Sequence, residues 1–487
     1  MSVHHIRIIV CIGLAVMLGL MQGCAIKKMI PSTAVITGEM KHYDESTFLF
    51  SYDIFSPLEK TQKERIQIGE DGRFRISIDM DKPVIGTLDF GRVLVDGLGI
   101  QRLIGVYLEP GDSVHVTADL AVDKDVNRIS NTLQYSGSGL ANQHYIKSED
   151  ELFNTYEQRV QNNHRFIAEK GPVDYARAVD SIRDLKLAYL DDYADTAALS
   201  STLETYYRDT YTNLPVIRKI NYPSSNRNFN NGVAQTLPPD YYHFIDDVQL
   251  AEDLSEKALP YLRFLHFFLT NKHRLAQQNG DKRDFIEFLD TELKGRAKYV
   301  YMAYSLGSDF NPTIYAQFGD ESPYPDISRT VKKRYSHLES MLPGQPAPTV
   351  QLTSRDGKTT GSNDAFADKF VYIDFWATWC KPCIREFPYL ATLKEEYQDQ
   401  DIIFVSISFD KAKEDWLSYI EREKLTGHQF WVDSENKKIY DDSFNITMIP
   451  RFVLIDKDGK IVDANAPRPS SGAEIRKLLD ETMAISQ

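Results

Sequence analysis

Two thiols three residues apart, Cys380 and Cys383, are the side chains of this 487-residue sequence best suited to chemistry. That spacing places both sulfurs on one helical turn, close enough to bond. Residues 370–375 before them read as an apolar strand, and 384–397 after them read as a helix. Cys380 therefore opens a helix, where free backbone N–H groups and the helix dipole favour a thiolate. Thiolate is the attacking species in disulfide exchange, and motifs of this kind hold the thiol pKa within roughly 3.5–7.5. In such chemistry Cys380 attacks and Cys383, shielded one turn deeper, resolves the mixed disulfide. Pro382, with its fixed φ, suits the first helical turn. Two rival chemistries use the same pair. Half of a zinc site is one, but no second cysteine pair or ligand-spaced histidine cluster accompanies it, so no metal is expected. A peroxidatic thiol is the other, and it does not require a partner at Cys383.

The elements that position these thiols belong to an alternation of strand and helix. Residues 402–408 form a second buried strand and 413–423 a second helix. Segments 452–455 and 461–463 flank Asp456-Lys457-Asp458-Gly459, a hairpin signal, and 473–483 close the chain as a helix. This predicts an α/β domain with a central sheet over 343–487. The stretch Leu342-Pro343-Gly344-Gln345-Pro346-Ala347-Pro348 reads as a linker or boundary. Upstream, 34–134 alternates with period two between turn signals such as Asp71-Gly72 and Pro110-Gly111-Asp112, which predicts an N-terminal antiparallel β-sandwich over 24–136. Residues 137–342 carry a helical period and predict a central α-helical domain. Ile182, Leu185, Tyr189 and Tyr193 fall on one face, as do Tyr261, Phe264, Leu265, Phe268 and Leu269. Residues 223–232, rich in Ser, Asn and Pro, read as a surface loop. The many tyrosines are expected to be core with polar tips reaching out, the alternative being a ligand or protein surface. The fold class is thus multidomain α+β ending in an α/β domain.

Composition narrows the function. Hydrophobic residues make up 42% and charged residues 26%, which is ordinary for a globular chain and argues against disorder. A net charge of −14 lacks the basic footprint of a nucleic-acid binder, so no nucleic-acid partner is expected. One basic residue, Arg7, precedes the apolar run 8–21, which is short for a bilayer span and reads as a secretory signal over 1–23. Leu20-Met21-Gln22-Gly23-Cys24 resembles a bacterial lipobox, although Gln22 is larger than the usual occupant. That resemblance implies lipidation of Cys24 and a chain held at the cell envelope, facing the periplasm. An ordinary signal peptide with an incidental cysteine is one alternative, and a retained signal anchor, disfavoured by the short apolar run, is another. Of four cysteines, Cys11 would leave with the signal and Cys24 would carry lipid, leaving Cys380 and Cys383. No structural disulfide is then possible beyond this pair.

The run Val371-Tyr372-Ile373-Asp374-Phe375-Trp376-Ala377-Thr378-Trp379-Cys380-Lys381-Pro382-Cys383 resembles the active-site strand and helix of thioredoxins. More closely it resembles the TlpA/ResA branch of anchored, extracytoplasmic thioredoxin-like proteins, from about Pro343 onward. The whole layout resembles lipoproteins with a DUF4369-type N-terminal domain, a match carried by Leu108-Glu109-Pro110-Gly111-Asp112 and Tyr135-Ser136-Gly137-Ser138-Gly139. The resemblance implies a thioredoxin-like fold for 343–487 and thiol–disulfide oxidoreductase activity without a cofactor. It implies Cys380 as nucleophile, Cys383 as resolving thiol and Trp379 as the aromatic residue over the disulfide. Asp374 matches the buried acid behind the cysteines, where desolvation would raise its pKa and suit it to shuttle a proton for Cys383. Glu386 matches a glutamate near the disulfide in the ResA branch, and reads equally as an ordinary helix-face residue. Ile449 and Pro450 match the cis-proline turn whose preceding backbone pairs with bound substrate chain. Lys381 departs from the glycine of thioredoxin, and its cation should make the centre more oxidising. The implied partners are protein thiols and disulfides, with a membrane electron donor. The leading expectation is a reductase of protein disulfides. A partner-binding lipoprotein with an accessory redox module and a thiol peroxidase remain as alternatives.

Overall fold

The computed structural model describes residues 32–95, 98–123, 128–129, 132–160, 163–308, 310–444, 446 and 448–485. The signal segment 1–23, Cys11 and Cys24 lie outside the described residues. The chain forms two compact units. The first runs to Val248 and includes Glu256–Phe264; the second comprises Gln249–Ser255 and Leu265–Gln487.

In the first unit, alternation builds strands as the period requires. β1 (Ser32–Lys41), β2 (Thr47–Ile54), β3 (Gln62–Gln67), β4 (Arg73–Met80), β5 (Val84–Val95), β6 (Leu98–Leu108), β7 (Ser113–Asp119), β8 (Val122–Asp123), β9 (Arg128–Ile129) and β10 (Gln134–Gly137) follow in order. Two four-stranded sheets form, β10-β7-β1-β4 and β3-β2-β5-β6. In β4 every second residue is buried, and Phe74, Ile76, Ile78 and Met80 join Phe48, Phe50, Leu88, Val106 and Val116 in one core fed by both sheets. One pairing departs from the antiparallel expectation. β1 and β7 run parallel, Val35 to Ser113 through Lys41 to Asp119. Period two fixes which face is buried but not the direction of a neighbour, and strands this far apart in sequence need no hairpin between them.

Helices α1 (Leu140–Val160), α2 (His164–Glu169), α3 (Pro172–Thr196) and α4 (Ser201–Phe229) complete this unit. Tyrosines form much of their core. Tyr145, Leu190 and Tyr211 are buried together with Tyr189, Tyr193 and Tyr207 against them, and the Tyr145 and Tyr211 hydroxyls lie 3.0 Å apart. Ile182 is buried, but Leu185, expected on the same face, is 52% exposed. The segment 223–232 is corrected more substantially. Helix α4 continues to Phe229 with Pro215 and Pro223 inside it. Buried Tyr222 and Asn226 hold it there: the Asn226 amide donates to the carbonyls of Ile167 and Ala168 at 2.8 and 3.1 Å. Tertiary contacts of this kind outweigh the unfavourable propensity of Pro, Ser and Asn.

The second unit carries most of α5 (Leu259–Gln278), then α6 (Phe285–Glu292), α7 (Gly295–Ser308), α8 (Pro312–Ala316) and α9 (Pro325–Tyr335). Beyond them lie β11 (Gln351–Ser354), β12 (Thr359–Gly361), α10 (Ser362–Ala365), β13 (Phe370–Trp376), α11 (Lys381–Glu396), β14 (Ile402–Ser408), α12 (Lys413–Arg422), β15 (His428–Trp431), α13 (Ser434–Phe444), β16 (Arg451–Ile455), β17 (Ile461–Asp463) and α14 (Ala473–Ile485). The sheet order is β12-β11-β15-β14-β13-β16-β17. β13, β14 and β15 run parallel, joined by helical crossovers, and β16 returns antiparallel to β13. β13 is buried along its whole length, as a central strand covered on both faces must be. Tyr372, Phe404 and Phe452 meet Leu390 and Leu393 of α11 and Ile475 and Leu479 of α14 on one face. Phe375 meets Tyr440 and Phe444 of α13 on the other. Residues 342–348, expected as a linker or boundary, are bound to the β16–β17 hairpin: Gly344 N–H donates to the Ile461 carbonyl, Ile461 N–H to that of Gln345, and Ala347 N–H to that of Gly459.

Candidate active site

β13 delivers the chain to the C-terminal edge of the sheet, and the turn Ala377–Trp379 aims it into α11. Cys380 is the N-cap of that helix, and the Cys383 backbone N–H donates to its Sγ at 3.2 Å. The cap position thus gives the sulfur the donor that stabilises a thiolate. Cys380 and Cys383 form a disulfide with Cα atoms 5.3 Å apart. Both are buried, in a cluster with Trp376, Trp416, Tyr419 and Ile420, against which Ile449 also packs. Trp379 stands out at 66% exposure beside them, and Lys381 and Pro382 are exposed as well. The Ile449–Pro450 bond is cis; Pro450 is buried, and the preceding Met448 is 72% exposed. Exposed Trp379 and Met448 thus sit in the loops that carry the disulfide and the cis-proline.

Behind the thiols, Asp374 is only 2% exposed, and its Oδ2 has no hydrogen-bond partner. Burial pushes its carboxyl up to about 7; Lys394 opposes that rise, Glu386 adds to it, and a hydrogen bond from Ser406 opposes it. Burial holds the Lys394 ammonium below its ordinary range, and Asp374 partly offsets this. Glu386 is also buried, and both its oxygens are engaged by Ser470: the backbone N–H donates at 3.0 Å and the hydroxyl at 2.9 Å. It anchors α11 to the segment 469–471.

Sequence reasoning singles out the residues on β13 and α11 but misses Asp410. This buried carboxylate accepts from the Thr378 N–H at 3.0 and 3.1 Å, from the Thr378 hydroxyl at 2.7 Å and from the Ser408 hydroxyl at 2.8 Å. It fixes the turn that presents Trp379 and Cys380. Its signal was faint: an Asp just after a buried strand, 30 residues from the thiols. Ser406, Gln429 and Lys394 were missed as well, because nothing in their own strands or helix marks them.

The arrangement is a disulfide at a helix N-terminus, a buried carboxyl on the strand that leads to it, and exposed Trp379 and Met448 in the neighbouring loops. Residues 342–479 match the Redoxin family. The thiol–disulfide oxidoreductase ResA of Bacillus cereus is 30% identical over 147 residues, covering 30% of this chain and 80% of that protein. ResA of Bacillus subtilis is 30% identical over 128 residues, covering 26% of this chain and 69% of its own. Among solved structures, the thioredoxin domain of a thiol–disulfide oxidoreductase from Bacteroides vulgatus is 28% identical, covers 30% of this chain and 99% of that one, and has a TM-score of 0.27.

Proposed function

The chain belongs to the TlpA/ResA-like thiol–disulfide oxidoreductases, and from that premise we propose that it is an exported, membrane-anchored enzyme reducing protein disulfides through Cys380-Lys381-Pro382-Cys383. The observation that carries this reading is the closed Cys380–Cys383 disulfide at the N-terminus of α11, with the Cys383 N–H on the Cys380 sulfur. In the reduced form the Cys380 thiolate attacks one sulfur of a substrate disulfide and the first substrate thiolate leaves. Cys383 then gives its proton to the Asp374 carboxylate and attacks Cys380 Sγ. The second substrate thiolate departs, and the Cys380–Cys383 disulfide holds the oxidising equivalents. A membrane-side dithiol donor returns two electrons and two protons to reopen it. Trp379, Pro382 and the Ile449–Pro450 turn receive the substrate chain, and Glu386 holds α11 in place beside the disulfide.

The anchor belongs to the same proposal: a signal over 1–23, lipid on Cys24, and a body facing the periplasm at the cell envelope. So does the division into 24–136, a β-sandwich, 137–342, a helical domain, and 343–487, the redox domain. The test is insulin-disulfide reduction by wild type and Cys380→Ser, with a redox titration of the pair. Activity lost in Cys380→Ser and a low potential support the reading; a potential near roughly −120 mV would reverse the direction of electron flow. Mixed disulfides trapped on Cys383→Ser identify the substrates, and labelled palmitate retained by Cys24→Ala would remove the anchor.

A further inference from the structure

Three polar side chains lie in one row across the sheet beneath α11. Register places Asp374 of β13 opposite Ser406 of β14, and Ser406 opposite Gln429 of β15. All three are buried in a layer otherwise filled by Tyr372, Phe404 and Phe452. A polar row in an apolar layer demands that its hydrogen bonds be made. Two atoms in it are left over, Asp374 Oδ2 and Gln429 Oε1. The Gln429 amide is held in one orientation, since its Nε2 donates to the Thr426 carbonyl at 3.2 Å. Its Oε1 is therefore an acceptor with nothing to accept, on the strand beside Ser406, whose hydroxyl favours the ionised Asp374 carboxyl.

A serine hydroxyl has one proton and can turn it either way. We propose that Ser406 is a hydrogen-bond rotor whose partner changes with the proton on Asp374, and that Gln429 is the acceptor that completes the protonated state. With Asp374 ionised, the Ser406 hydroxyl donates to the carboxylate and Gln429 Oε1 waits. With Asp374 protonated, its O–H donates to Ser406 Oγ, the Ser406 proton swings to Gln429 Oε1, and both leftover atoms are satisfied. Ser406 and Gln429 are positioning residues. They touch no substrate but set how readily Asp374 holds the proton taken from Cys383. The remaining ionisable groups around the row are Lys394 and Glu386 from α11, Tyr372 on β13 and His428 on β15, with Asp463 and Arg468 acting on the Tyr372 phenol. Lys394 favours the carboxylate and Glu386 opposes it, whichever way the rotor points.

The catalytic consequence rests on the redox reading; the rotor itself does not. Its test is the protonated-carboxyl infrared band of the oxidised full chain, titrated with pH and assigned by its loss in Asp374→Asn. The wild-type midpoint is expected near 7. Gln429→Leu removes the acceptor of the protonated state only, so the midpoint drops by about half to one pH unit, the equivalent of one neutral hydrogen bond. Ser406→Ala removes the charge-assisted donor and raises the midpoint. In the Ser406→Ala background, Gln429→Leu has no further effect, because its action passes through the hydroxyl. Gln429→Met, closer in shape, serves if the leucine variant does not fold. An unmoved midpoint in Gln429→Leu or Gln429→Met, or a drop that persists without Ser406, overturns the rotor. Absence of insulin-disulfide reduction by wild type would overturn the redox reading and leave this titration intact.

Discussion

Replacing Asp374 with Asn should make the redox domain more resistant to urea above neutrality and leave that advantage behind in acid. The carboxyl rises from an ordinary 3.8 to about 7 on folding, chiefly through burial. Folding therefore opposes its ionisation, and the rise corresponds to about 4 kcal/mol. Well below pH 3.8 the group is neutral in both folded and unfolded chains and the penalty is absent. The penalty grows as pH climbs from 3.8 towards 7 and is constant beyond. An Asn amide brings its own cost, about 1–3 kcal/mol if its N–H groups stay unpaired in the core. That cost does not titrate, so it cancels when the mutant-minus-wild-type difference at pH 8 is compared with that at pH 4. The comparison should retain about 4 kcal/mol in favour of Asn at the higher pH. Tryptophan fluorescence is the assay, because all four tryptophans, Trp376, Trp379, Trp416 and Trp431, lie in the redox domain. Its urea transition reports the second compact unit, which holds all four. Stability curves for the two proteins that run parallel from pH 4 to 8 would refute the argument that Asp374 is ionised against the preference of its site.

Asp410→Ala leaves the Thr378 N–H and two hydroxyls without their acceptor, so the same urea transition should lose about 3 kcal/mol and insulin-disulfide reduction should fall with the loosened turn. Trp379→Ala removes an exposed ring and should raise KM for a protein disulfide while leaving reduction of a small aromatic disulfide nearly unchanged. Gly72→Ala should cost at least about 2 kcal/mol, since φ is +78° and the new Cβ would stand 2.2 Å from the Met40 carbonyl oxygen. Faster amide exchange in β1 and β4 with unchanged tryptophan fluorescence is the expected signature.

Local pattern carried much of this. The strand Ile402–Ser408 has the bounds its apolar run predicts, and β13 and α11 fall within a few residues of theirs, because a doubly covered strand and an amphipathic helix write their burial into neighbouring residues. Asp374 was legible as a buried acid because the run Val371–Cys383 resembles the active-site strand and helix of thioredoxins. What escaped depends on distant partners. β15 and α13 have short, mixed patterns that only the sheet edge and Phe375 make sense of. Helix α4 runs through two prolines because Ile167 and Ala168 supply acceptors to Asn226. Glu386 could not be judged from its own turn of helix, since the serine that engages it lies 84 residues away. The row Asp374–Ser406–Gln429 exists only once three strands are aligned.

The bonds that tie residues 344–347 to the β16–β17 hairpin have a mechanical consequence. Within the second compact unit, force drawn along residues 342–348 meets these three backbone hydrogen bonds before it reaches β13. Three such bonds give way before a buried seven-stranded sheet does. Peeling this patch would free a few residues of chain ahead of β11 and leave undistorted the strand β13 that leads to Cys380.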